Sequence, residues 1–100
     1  MPAVARKSGT DTVSTGHACD GITTTQAGSS TVFINGIGAC RLGDAITVHT
    51  VEIGNSCVPH IAVINAGSST VFVDGIAVAR NGDSADAGSI SSGSPSVFAG

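Results

Sequence analysis

Three histidines and one cysteine carry the clearest chemistry in this chain: His17, His49, Cys57 and His60. Three imidazoles and one thiolate make a closed tetrahedral donor set, the pattern of a structural zinc site. The same donors admit iron, so zinc is the expected ion and iron the lesser alternative. Cys57-Val-Pro-His60 reads as a Cys-x-x-His chelate in a turn, with Pro59 restricting the loop. His17 and His49 are expected to reach it from neighbouring strands or turns. Cys19, close behind His17, competes for the sulfur position, and a Cys19–Cys57 bridge is a further alternative. A small metallohydrolase built on the same ligands, with Glu52 as general base, is the enzymatic alternative. Such a site keeps an open coordination position for water, and four good ligands argue against it.

All three histidines, with Cys19 and Cys57, fall in two stretches, residues 12–26 and 47–65. These stretches separate copies of a repeat. Residues 27–46 recur at 66–85, with 12 of 20 positions identical at an offset of 39. A fixed period marks a chain built from one supersecondary unit used more than once. Partial copies stand at both ends: Ala3-Val-Ala-Arg6 with Gly9 and Asp11, and Gly93-Ser-Pro-Ser-Val-Phe98. A circular arrangement of three units, in which the two ends complete one unit between them, is the economical reading. The linkers then meet at one end of the fold. The third linker, residues 84–92, is short, and Asp86 is its one metal-type side chain.

Within each full unit, Ser-Thr-Val-Phe is followed by Asn35-Gly36 or Asp74-Gly75. Asn-Gly and Asp-Gly between apolar runs signal a tight hairpin, because both central residues tolerate positive φ. The return strands are expected at 37–41 and 76–80, and helix is nearly absent from this pattern. Arg41 with Asp44, and Arg80 with Asp83, flank a glycine turn and are expected to form local ion pairs of structural rather than catalytic role. Cys40 aligns with Ala79 and reads as core packing.

Val, Ile and Thr supply 30 residues against one Leu, a balance that favours strands. There is no Trp or Tyr, and the three Phe (Phe33, Phe72, Phe98) occupy equivalent repeat positions. So little aromatic area leaves a thin core, which a metal or partner is expected to reinforce. A net charge of −3 gives no support for nucleic-acid binding. No apolar run approaches a membrane span, and the N-terminus lacks the apolar stretch of a secretory signal. A cytoplasmic start is therefore expected, with thiols or metal ligands favoured over a disulfide framework.

Ala77-Val-Ala-Arg80 with Gly82-Asp83, the opening Pro2-Ala-Val-Ala-Arg6, Gly38-Ala-Cys-Arg41, Gly16-His17 and the Ser-Thr-Val-Phe-x-x-Gly segments together resemble the proline-alanine-alanine-arginine (PAAR) repeat family. The resemblance spans essentially the whole chain. It implies an all-β, small conical domain covering residues 1–100, made of short hairpins in three pseudo-threefold repeats, with no C-terminal effector extension. It also implies one metal ion near the apex, held by His17, His49, Cys57 and His60. The implied role is a structural tip that caps and sharpens the trimeric spike of a type VI secretion system or contractile phage tail. The partner would be a valine-glycine-repeat or phage tail spike, with one tip per trimer and unpaired strand edges extending its sheets. Effector cargo would attach non-covalently, and a target membrane would be met transiently at the needle's end, outside the producing cell or in the target. A self-assembling β-repeat module without a needle partner is the third reading.

Overall fold

A computed structural model describes residues 1–100, and it contains strands and turns but no helix. The strands are β1 (Thr12–Ser14), β2 (Ile22–Thr24), β3 (Phe33–Ile34), β4 (Ile37–Gly38), β5 (His49–Ile53), β6 (Ser56–His60), β7 (Phe72–Val73), β8 (Ile76–Ala77), β9 (Ser84–Ala85) and β10 (Gly88–Ile90). The long axis measures 41 Å and the two short ones 23 and 22 Å, a nearly round cross-section.

The hairpin signals fold as their chemistry dictates. Asn35 and Asp74 both take φ of 54°, and Gly36 and Gly75 follow at 79° and 76°. Phe33 then faces Gly38 and Phe72 faces Ala77 across the two hairpins. The third pair is made by the chain ends, where Ala3 bridges Phe98 antiparallel. The return strands are shorter than expected, because the backbone leaves each hairpin at residues 39–41 and 78–80 to pair with the next unit.

That departure closes a ring. Ala5 N–H donates to the Ala79 carbonyl (3.0 Å), Ala79 N–H to Cys40 (2.9 Å), and Cys40 N–H to Ala5 (2.9 Å). Three equivalent residues thus bond head to tail around one axis. All three are fully buried and small, which lets three backbones approach so closely. Above the ring lie Val13, Ile46, Ala85, Ile64 and Ile90, and below it Val4, Ala39, Val78, Val73 and Ala99. The three Phe take no part in either layer; they are 57, 58 and 49% exposed.

Side chains repeat the same threefold pattern. Ser29, Ser68 and Ser94 are buried, and each hydroxyl accepts two backbone N–H groups from the residues just ahead. Each hydroxyl then donates to the tip of a neighbouring unit: Ser29 to Asp74 (2.7 Å), Ser94 to Asn35 (2.6 Å), and Ser68 to the Gly100 carbonyl. Arg41 pairs with Asp44, and Arg80 with Asp83, at 2.9 and 3.0 Å. Arg6 pairs with Asp11 at 3.0 Å, completing the set in the N-terminal partial unit.

Asp11 is the most enclosed of these aspartates. Burial opposes its ionisation, but hydrogen bonds from Arg6 and Ser92 outweigh that and hold its carboxyl below the usual range. A depressed folded pKa contributes stability that is fully present above the unfolded value, near 4, and is lost as pH falls through the folded one. Replacing Asp11 by Ala leaves Arg6 without its partner and should cost about 3 kcal/mol in denaturant titrations at neutral pH. Asp11→Asn should weaken the loss of stability seen on acidification below about pH 4.

Candidate metal centre

The linkers converge at one end of the axis. His17 lies between β1 and β2, His49 opens β5, His60 closes β6, and Asp86 sits in the turn between β9 and β10. One ligand atom from each of these four residues lies within 4.8 Å of the other three. The imidazole ring centroids are 5.2, 5.2 and 5.9 Å apart.

Local backbone explains each placement. His49 and His60 are direct partners in the β5–β6 register, so their side chains share a face. Gly16, at φ 77°, packs so closely on the Asp86–Ala87 turn that an added Cβ would stand 2.7 Å from the Ala87 carbonyl. That contact delivers His17 beside Asp86. Asp86 itself has φ 53°, a left-handed conformation that aspartate tolerates better than most residues.

Asp86 is the hub. Its Oδ1 lies 2.9 Å from His17 Nε2 and 3.3 Å from His60 Nε2, while Oδ2 lies 2.6 Å from His49 Nε2. Burial disfavours the carboxylate, and the hydrogen bonds from the three imidazoles overcome it, holding the carboxyl below its ordinary range. His49 is nearly enclosed, and its Nδ1 lies 2.9 Å from the Thr47 carbonyl. A carbonyl only accepts, so Nδ1 carries the proton and Nε2 is the nitrogen left to face Asp86. The Nε2–Oδ2 contact at 2.6 Å is one that a positive charge holds together, either the proton of a hydrogen bond or a metal ion bound by both groups. Orientation of a ligating imidazole by a bond from its other nitrogen is the usual second-shell arrangement. The donor set of three imidazoles and one carboxylate therefore fits a divalent first-row metal.

Cys57 is not part of this group. The expectation of a Cys-x-x-His chelate assumed a turn, but Ser56–His60 is a strand. Residues three apart in a strand point to opposite faces, so Cys57 is turned away from His60. Its sulfur is bonded instead to Cys19. The expected place of Cys57 in the group is thus corrected: the alternative bridge is formed, and Asp86 is the side chain that joins the three histidines. Glu52, directly opposite Cys57 in the register, shares its outward face and is no general base for this centre. Asp20, next to Cys19, accepts from the Thr50 N–H and hydroxyl at 2.7 Å each, tying the first linker to the same side of β5. Cys40 is buried in the ring, where burial pushes its thiol up to about 12 and keeps it protonated.

Asp86 had a visible signal. It is the sole metal-type side chain of the third linker, and three linkers meeting at a point each bring at least one donor, the second bringing both His49 and His60. Preference for a thiolate over a carboxylate concealed it.

With this geometry in view, the sequence matches the PAAR motif family over residues 15–90. The chain belongs to that family. No curated protein matches it.

The Cys19–Cys57 bridge joins residues 38 apart, and closing a loop of that size is worth about 4 kcal/mol by chain entropy. The Cys19→Ala/Cys57→Ala pair should lower unfolding free energy by about that amount. Cys40→Ala should cost only about 1 kcal/mol, as a small core truncation.

Proposed function

We propose that this protein is the structural tip of a contractile injection machine, seated as one copy on the end of a trimeric spike. The PAAR motif family fits the spike-tip role of type VI secretion in general. The observation that carries the reading for this chain is the closed backbone ring of Ala5, Cys40 and Ala79. One chain folded into three equivalent sectors can present the same surface to three identical partner chains.

The end of the axis remote from the histidines supplies that surface. Phe33, Phe72 and Phe98 repeat there at threefold-equivalent positions, each about half exposed. Exposed aromatic side chains at fixed spacing suit the anchor role that aromatics play at interfaces. In the two-stranded β3–β4 and β7–β8 hairpins, β4 and β8 are bonded to Lys7 and Leu42 of neighbouring units, which leaves the outer edges of β3 and β7 to extend a β-structured partner. At the other end, one zinc ion held by the histidine centre would draw the three linkers into a firm apex. Metal binding at a site absent from the unfolded chain adds directly to folding free energy. The role is mechanical and needs no reaction.

Mass measurement of the assembly with a trimeric spike should give three spike chains to one tip. A 3:3 assembly, or binding along the shaft, would overturn the capping model. Phe33→Asp/Phe72→Asp should abolish capture by the spike with little change in melting temperature, since neither ring is in the core. Elemental analysis of protein purified without added metal should find one equivalent of zinc per chain.

A further inference from the structure

We infer that the metal centre of this chain is sulfur-free, with Asp86 as its fourth ligand, and that the cysteines form a separate clamp beside it. The inference rests on the metal reading above and departs from it in the donor set that the family resemblance implies. Two independent observations carry it. The first is the convergence of His17, His49, His60 and Asp86, with the carboxylate facing all three Nε2 atoms at 2.6–3.3 Å. The second is the placement of sulfur. Cys57 lies on the face of β6 opposite His60, and it is bonded to Cys19.

Each staple has its own reach. The disulfide ties the first linker to the second, while the third is held by backbone pairing to both and has no side-chain staple except Asp86. Asp86 is the side chain by which the β9–β10 turn joins the apex, and without it a metal would hold only two of the three sectors. A thiolate ligand would be lost on oxidation to a disulfide. A carboxylate is not, so metal binding and disulfide formation here do not compete. A harder donor than thiolate also widens the choice of ion toward iron and manganese, which favour imidazole and carboxylate.

The test is reconstitution of the metal-free, disulfide-intact protein with Co(II) alone, read by absorption. The expected spectrum shows the visible bands of a low-coordinate cobalt site and lacks the near-ultraviolet sulfur-to-cobalt charge-transfer band. The Cys19→Ala/Cys57→Ala protein should give the same spectrum. Asp86→Asn should weaken cobalt affinity by more than about 100-fold, since removing even an outer partner of a ligand costs about 10–100-fold. A charge-transfer band that disappears in Cys57→Ala, or unchanged affinity in Asp86→Asn, would overturn the inference while leaving a metal-bearing tip intact. Failure of the wild type to bind cobalt would overturn the metal reading itself. If Asp86→Asn does not fold, the spectra of the wild type and the double cysteine variant still decide the matter.

Discussion

Three backbone hydrogen bonds around one axis, from Ala5 to Ala79 to Cys40 and back to Ala5, are the constraint on which the rest of this molecule depends. They require three chain segments to meet edge to edge, which demands small side chains at the crossing and explains Ala, Cys and Ala there. They also force the backbone out of each hairpin after two or three residues. The hairpins are therefore short, and the segments beyond them are free to run toward the apex. The Arg–Asp pairs and buried serines follow from this arrangement. They satisfy the polar groups that so many turns would otherwise leave exposed in a small interior.

A ring of this kind leaves little volume for a core. The buried apolar residues are Ala, Val, Ile and Cys, with no aromatic among them. Small domains with limited cores commonly rely on covalent or metal staples. This chain has a disulfide and a candidate metal centre, both in the linkers farthest from the Phe positions. The division of labour is spatial. On the proposed function, the exposed aromatic rings serve the docking end and the staples reinforce the opposite one.

Much of this was legible in the residues. The Asn35-Gly36 and Asp74-Gly75 turns, the completion of the third unit by Ala3 and Phe98, and the Arg41–Asp44 and Arg80–Asp83 pairs all follow from local chemistry and the repeat. The meeting of the linkers followed from where the histidines fall. The fourth member of the group did not, because the place of Cys57 depended on whether residues 57–60 form a turn or a strand. That choice is settled by the hairpin with His49–Ile53, closed at Gly54-Asn55 just upstream of the Cys57–His60 motif and outside it. The exposure of Phe33, Phe72 and Phe98 was equally hidden, since alternation in a two-residue strand leaves no pattern to read.

The central claim is that one chain offers three equivalent contacts to three partner chains. Amide hydrogen exchange of the tip, free and bound to its spike, tests it most directly, because the three sectors differ in sequence and are resolved as separate peptides. The account predicts added protection in residues 31–36, 70–75 and 96–100 alike, with none in the apex hairpin of residues 49–60. Protection confined to one of the three sectors, or centred on the apex hairpin, would contradict it.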